Sequence, residues 1–162
     1  MEGLNIMEES PGLNQCLRIR RFRRDDLESV LIVERECFSE SERFDQLTFT
    51  YYLRLDSIFL IAEWCDKSVV GYALGFFEDP MTVHLASIAV RPLFRRRGIG
   101  ERLIEEFESI AREKGAKKIV LEVRVSNVVA LNMYRKRGYR VVKRLPRYYG
   151  FEDGYYMVKD LF

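Results

Sequence analysis

The 162-residue sequence is poor in the residues that hold metal ions and build disulfide frameworks. It has one histidine, His84, and three widely spaced cysteines, Cys16, Cys37 and Cys65. Without a Cys-x-x-Cys pair or a second histidine, the usual zinc-site spacings are excluded, and we expect no metal requirement. Three distant cysteines form no even-numbered framework either, so we expect free, buried thiols in a reducing compartment.

An excess of one charge and long hydrophobic runs are also lacking. The 27 Lys and Arg residues nearly balance the 25 Asp and Glu residues, and a net charge of +2 gives no general signal for nucleic-acid or membrane binding. No apolar run approaches the roughly 18 residues of a membrane-spanning helix, and the N-terminal residues lack the pattern of a signal peptide. We therefore expect a cytoplasmic protein.

Apolar residues make up 48% of the sequence, which is enough to bury the core of one domain. Residues 1–15 mix Gly, Pro, Ser and Asn without periodicity and predict a flexible tail, so the single domain spans residues 16–162. Alternating strand-like and helix-like patterns predict the order β, α, α, β, β, β, α, β, α, β, β, with the second helix over residues 44–55. This order predicts a mixed α/β sheet of about seven strands flanked by about four helices.

The most informative segment, residues 87–100, reads SIAVRPLFRRRGIG. It leads from a strand through a turn into a helix N-terminus, whose unpaired N–H groups and partial positive charge attract anions. Gly98 and Gly100 leave the backbone open to a phosphate, and the three arginines at positions 95–97 add cationic charge. The segment predicts a pyrophosphate site, and the alternative is a solvated basic turn.

This segment resembles the acetyl-CoA signature of the GCN5-related N-acetyltransferase (GNAT) superfamily, Arg-x-x-Gly-x-Gly after a strand. A second segment, residues 121–139, reads LEVRVSN followed by Ala130, Tyr134, Gly138 and Tyr139. It is similar to bacterial ribosomal-protein alanine N-acetyltransferases and to archaeal and eukaryotic N-terminal acetyltransferases. The resemblance runs from about Leu17 to the C-terminus. It implies the GNAT fold, a twisted, mostly antiparallel sheet that splays apart at the acetyl-CoA site.

The resemblance also implies where acetyl-CoA binds. The main chain of Ile88, Ala89 and Val90 would pair with the pantetheine arm, and an N–H near Val90 would polarise the thioester carbonyl. Asn127 would cap a helix and contact the cosubstrate. The pyrophosphate would be held by Arg95, Arg96, Arg97, Gly98, Ile99 and Gly100.

Three residues carry the implied chemistry, and each also has a purely structural interpretation. Glu122 matches the family's catalytic base, and the alternative is a solvent-exposed strand glutamate without a catalytic role. His84 matches a position that faces the amine site in some relatives, where it would share the base role through water, or else it is structural. Tyr134 matches the proton donor to the departing thiolate, or else it is a packed aromatic residue.

The walls of the substrate site follow from the same resemblance. Tyr148 and Tyr149 resemble the tyrosine pair with which N-terminal acetyltransferases hold the peptide backbone. The segment from Phe38 to Glu42 resembles the opposite wall, but it lacks the proline or tyrosine that relatives often carry there. The acidic pair Glu40 and Glu42 favours a positively charged substrate, or consists of solvated loop residues.

The implied function is transfer of an acetyl group from acetyl-CoA to the N-terminal α-amine of proteins by direct attack. Protein or peptide N-termini are the expected partners, with ribosomal proteins as one candidate class, and we expect a monomer or weak dimer. The alternatives are a GNAT enzyme that acts on a small-molecule amine and a non-catalytic acyl-CoA-binding module. A nucleic-acid partner is not expected, because the basic cluster is short and already explained.

Overall fold

A seven-stranded sheet with the strand order β1-β2-β3-β4-β5-β7-β6 organises the protein, as described by a computed structural model for residues 12–162. The strands are β1 (Arg18–Arg21), β2 (Ser57–Glu63), β3 (Val69–Asp79), β4 (Thr82–Val90), β5 (Lys118–Arg124), β6 (Arg140–Leu145) and β7 (Gly154–Asp160). The helices are α1 (Leu13–Cys16), α2 (Leu27–Cys37), α3 (Gln46–Leu53), α4 (Ile99–Glu113) and α5 (Val128–Lys136). Only β4 and β5 pair in parallel, so the predicted mixed, mostly antiparallel α/β fold is confirmed.

Local sequence signals set the ends of several helices. Helix α3 is shorter than the predicted 44–55 because the Asp45 side chain accepts a hydrogen bond from the Thr48 backbone N–H at 2.8 Å and so caps the helix there. Helix α4 is followed by Gly115, whose φ of 93° is the left-handed conformation that favours glycine. Residues 1–11 of the predicted tail lie outside the described residues, whereas α1 occupies its last part.

The sheet is covered on both faces. Helix α4 buries Leu103, Ile104 and Phe107 against one face, and α2 and α3 bury Val30, Val33 and Phe49 against the other. In β3, a Cβ at Gly75 would lie 2.4 Å from the Phe107 ring and 2.6 Å from the His84 carbonyl oxygen, so a side chain there would push α4 away from the sheet. Within residues 12–162, no helix is long and apolar enough to span a bilayer.

The expectation of three free thiols is wrong for two of the cysteines. Cys16 and Cys65 form a disulfide with a Cα–Cα distance of 4.4 Å, which ties α1 to the turn between β2 and β3. Cys37 is free and half-buried at the end of α2. The bond closes a sequence separation of 49 residues, a pairing that spacing alone does not reveal. The cytoplasmic location stays a prediction.

Candidate active site

The central feature of the site is a gap between β4 and β5. Their parallel pairing covers only Thr82–Lys118, Val83–Ile119 and His84–Val120. Beyond His84, β4 continues to Val90 paired with β3 alone, and β5 continues to Arg124 paired with β7 alone. The two strands therefore diverge and leave an open wedge in the middle of the sheet, as the sequence resemblance implied.

The backbone of β4 offers hydrogen-bond donors to this gap. The Arg91 N–H donates to the Val70 carbonyl on β3 at 2.8 Å. Since polar groups along an antiparallel strand alternate between its two sides, the N–H groups of Val90 and Ile88 point away from β3 and into the gap. Of the three residues predicted to act through their main chain, Ile88 and Val90 therefore offer N–H groups to the gap, whereas Ala89 pairs with Tyr72 on β3 and its side chain is buried against the helix α2.

The segment that follows β4 has the backbone shape expected of an anion site. Gly98 caps α4 with a φ of 76°, and Arg96 also adopts a left-handed φ of 62°. A Cβ at Gly100 would lie 3.6 Å from Met133 Sδ and 4.0 Å from Val90 Cγ2, so the first turn of α4 approaches the end of β4 closely. Ile99 anchors this turn in the core. The α4 N-terminus therefore lies next to the gap.

The three arginines of this segment point in different directions. Arg95 donates its Nε–H to the Val90 carbonyl at 3.0 Å, so it lies against the end of β4. Arg97 lies over the rings of Trp64 and Phe94, at 5.5 and 5.3 Å from their centres. Arg96 is exposed to solvent. Arg95 and Arg96 are therefore the better placed for a phosphate near the gap, and Arg97 is held by aromatic rings.

His84 and Glu122 are in direct contact where the strands separate. His84 Nε2 lies 2.5 Å from Glu122 Oε2, so no intervening water is needed between them. On its other side, His84 Nδ1 lies 2.6 Å from Glu78 Oε1. The pKa of His84 is raised overall. Burial alone would lower this pKa, but the hydrogen bond and the charge of Glu122, together with the charge of Glu78, have the larger effect. The site thus holds a histidine between two carboxylates.

Tyr134 is buried on α5, where its ring meets the Tyr139 ring edge-to-face at 5.4 Å. Burial raises the pKa of Tyr134, so its hydroxyl keeps its proton through the physiological range. Asn127 caps the same helix, since its side-chain oxygen accepts from the Ala130 N–H at 3.2 Å. The predicted capping role of Asn127 is confirmed.

Several tyrosines lie around Glu122, and the sequence analysis did not single out all of them. Burial raises the pKa of Tyr148, Tyr52 and Tyr156, and the charge of Glu122 contributes to all three shifts. Of these only Tyr148 was predicted. Tyr156 lies on β7, where it is the pairing partner of Glu122 on β5, and Tyr52 lies on α3. Neither position could be related to Glu122 before the strand pairing and the helix packing were known.

Two loops form opposite walls beside these tyrosines. The β6–β7 loop (residues 146–153) carries Tyr148, which is 52% exposed, and Tyr149, with ring centres 4.9 Å apart. The α2–α3 loop (residues 38–45) begins at the half-buried Phe38 and carries Glu42. Glu42 is not simply solvated, because it forms an ion pair with Arg124 at the end of β5. Of the predicted substrate residues, Glu42 and Tyr149 are therefore brought together through Arg124, whereas Phe38 packs against the apolar cluster under α2.

The base of the α2–α3 loop is fixed by a buried carboxylate. Glu34 on α2 accepts a hydrogen bond from the Phe44 backbone N–H at 2.8 Å and another from the Tyr72 hydroxyl. The same hydroxyl lies 2.8 Å from Ser87 Oγ on β4. Burial raises the pKa of Glu34, despite these donors. This network ties the loop to the strand that lines the gap.

Comparison with known proteins agrees with this geometry. Residues 21–139 match the Acetyltransferase (GNAT) family. The chain belongs to that family. This protein is 33% identical to the N-alpha-acetyltransferase of Saccharolobus solfataricus, and the alignment covers 98% of this chain and 100% of that protein. It is also 34% identical to the catalytic subunit NAA20 of the N-terminal acetyltransferase B complex of Arabidopsis thaliana, over 88% of this chain and 84% of that protein.

A solved structure gives the same result for the fold. Ard1 from Thermoplasma volcanium superposes with a TM-score of 0.81 at 29% identity, covering 90% of this GNAT chain and 98% of that chain. The predicted family, the fold and the use of acetyl-CoA by an acetyltransferase are confirmed. The wedge, the donors of β4 and the open first turn of α4 fit the pantetheine and pyrophosphate of that cosubstrate.

Proposed function

We propose that this GNAT enzyme transfers the acetyl group of acetyl-CoA to the N-terminal α-amine of protein substrates. The observation that carries the proposal is the His84–Glu122 contact of 2.5 Å, placed where β4 and β5 separate and beside the backbone donors of Ile88 and Val90. A proton acceptor at the point where the gap begins and N–H donors along the strand that lines it are what acyl transfer to an amine requires.

The first requirement is an unprotonated amine. A peptide α-amino group has a pKa of roughly 8, so much of it carries an extra proton near neutral pH. Neutral His84 with ionised Glu122 can take that proton and hold it between them as an imidazolium–carboxylate pair. Because the two groups are in contact, the proton that His84 accepts lies within hydrogen-bond distance of the Glu122 carboxylate.

The second requirement concerns the thioester. As the amine nitrogen bonds to the carbonyl carbon, negative charge develops on the carbonyl oxygen, and the Val90 N–H is the proposed donor that stabilises it. When the C–S bond then breaks, the nitrogen loses a second proton to solvent and the thiolate needs one. A proton from solvent afterwards restores the group that protonates the thiolate. Tyr134, protonated because burial raises its pKa, is the proposed donor.

The acceptor is proposed to be a peptide because the site is built as a groove rather than a closed pocket. Tyr148 is half-exposed on one wall, the loop with Phe38 and Glu42 forms the other, and the tyrosines around Glu122 line the space between. Relatives bearing the name N-alpha-acetyltransferase support this substrate class. Specific protein partners, ribosomal proteins among them, and a monomeric or weakly dimeric state remain predictions.

The test is an acetylation assay on peptides that vary in their first two residues, with polyamines and free amino acids in parallel reactions. Fragment mass spectrometry locates the acetyl group on each product. We expect α-amine acetylation of a subset of peptides. Exclusive turnover of a small amine would favour the small-molecule alternative, and acetyl-CoA binding without any turnover would favour a non-catalytic module.

A further inference from the structure

Arg124 lies at the end of β5, two residues beyond Glu122, and strand alternation places both side chains on the same face of the sheet. Its guanidinium pairs with Glu42 of the α2–α3 loop. It also lies 3.6 Å from Glu152 Oε2 and 4.4 Å from the centre of the Tyr149 ring, both in the β6–β7 loop. One side chain therefore contacts both walls of the groove and belongs to the strand that carries the base.

We propose that Arg124 is a positioning residue that holds the two peptide-binding loops together above Glu122. We name the group of Arg124, Glu42, Glu152 and Tyr149 the clasp. The clasp sets the affinity for the peptide, and it takes no part in proton transfer or in acetyl-CoA binding. The inference rests on the proposed peptide substrate.

The two loops are anchored separately at their bases, and Arg124 contacts both of them. The β6–β7 loop is tied to the turn that follows β5, because Glu152 accepts hydrogen bonds from the Ser126 backbone N–H at 3.1 Å and from the Ser126 hydroxyl. The α2–α3 loop is tied to the core where Phe44 donates to Glu34. Among residues 12–162, Arg124 is the only residue that forms ion pairs with both loops, through Glu42 in one and Glu152 in the other.

The geometry of the guanidinium suits this role. Arginine has five N–H donors in a rigid plane, so it can serve two carboxylates and stack on a tyrosine at the same time, which lysine cannot do. The side chains of Arg124, Glu42 and Glu152 are 29%, 38% and 26% exposed. Since water reaches all three, the clasp can open for a peptide to enter and close around it.

The test is a double-mutant cycle with Arg124→Gln, Glu42→Gln and the double variant, with KM measured separately for peptide and for acetyl-CoA. We expect Arg124→Gln to raise the peptide KM about tenfold and Glu42→Gln about fivefold, and the double variant to resemble Arg124→Gln alone. Turnover and the KM for acetyl-CoA stay within about twofold of wild type. The matched control is Arg140→Gln, which removes an exposed ion pair with Asp160 on β6 and β7 and leaves the peptide KM unchanged.

Several results would overturn the clasp. An unchanged peptide KM in Arg124→Gln would contradict the proposed role of Arg124. A rise of about fiftyfold in the peptide KM of the double variant, the product of the two single effects, would also contradict it, because residues that act independently have multiplicative effects. A loss of turnover at constant peptide KM assigns Arg124 to the chemistry instead. Absence of α-amine acetylation by the wild-type protein overturns the proposed function as well, so the two failures are distinct.

Discussion

Replacing Glu78 by Gln tests the electrostatics of the site, because His84 is the only histidine in the chain and its titration can be followed without ambiguity. Glu78 Oε1 lies 2.6 Å from His84 Nδ1. With roughly 4 Å between charge centres, Coulomb's law gives about 1 kcal/mol in water and about 4 kcal/mol at an effective dielectric constant of 20. The Glu78 side chain is 39% exposed, so the lower part of that range applies.

An interaction of about 1.4 kcal/mol corresponds to about one pKa unit. A raised pKa means that His84 keeps its proton to higher pH, so the neutral form that accepts the amine proton appears only as the pH rises through that value. Glu78→Gln removes one of the charges that raise the pKa of His84. We therefore expect this pKa to fall by about one unit and the acid limb of the kcat/KM profile to move to lower pH by the same amount.

The assay is an NMR titration of the His84 ring in wild type and variant, paired with kcat/KM from pH 5 to 9. The exposed Glu106 on α4 supplies the control, because Glu106→Gln removes the same charge without a contact to His84. If the pKa of His84 is the same in both proteins, the assigned contact is wrong. If the pKa moves but the kcat/KM profile does not, His84 is not part of the proton acceptor.

Three further predictions follow. We expect Glu122→Gln to lower turnover, measured by steady-state kinetics, by about a hundredfold and to leave the acetyl-CoA affinity, measured by calorimetry, unchanged. Wild-type turnover of the variant from pH 6 to 9 would refute the assignment of Glu122 as the base. Replacing both Arg95 and Arg96 by Ala weakens acetyl-CoA binding, so equal calorimetric affinity contradicts the phosphate site. Breaking the Cys16–Cys65 bond, which spans 49 residues, costs about 4 kcal/mol and lowers Tm by about 10 °C, and a scan with reductant that shows no shift contradicts a stabilising bond.

Much of the fold could be predicted because its signals are local. The period of the apolar residues indicates whether a segment is a strand or a helix, and caps such as Asn127 and turns such as Gly115 mark helix ends. The position of Glu122 within the apolar strand Lys118–Arg124 follows from the same pattern. These features depend on neighbours a few residues apart, which the sequence displays directly.

The contacts that tune the site are not local, and this is why the sequence did not predict them. The Arg124–Glu42 pair joins the end of β5 to the α2–α3 loop, and the Cys16–Cys65 bond joins residues 49 positions apart. Glu78 is an intermediate case. Because Phe76 pairs with His84 across the β3–β4 hairpin, residue 78 is a diagonal neighbour of the histidine, and a fixed register would have indicated the contact.

The central claim is that the acceptor is an α-amine held between the His84–Glu122 pair and the donors of β4. Calorimetry with two bisubstrate analogues tests it most directly. One has coenzyme A joined through an acetyl bridge to the α-nitrogen of a short peptide, and the other joins the same bridge to a lysine ε-nitrogen of that peptide with its α-nitrogen blocked. We expect the α-linked analogue to bind at least about 100-fold more tightly, because only it matches the groove and the gap together. Equal affinities, or tighter binding of the ε-linked analogue, would contradict it.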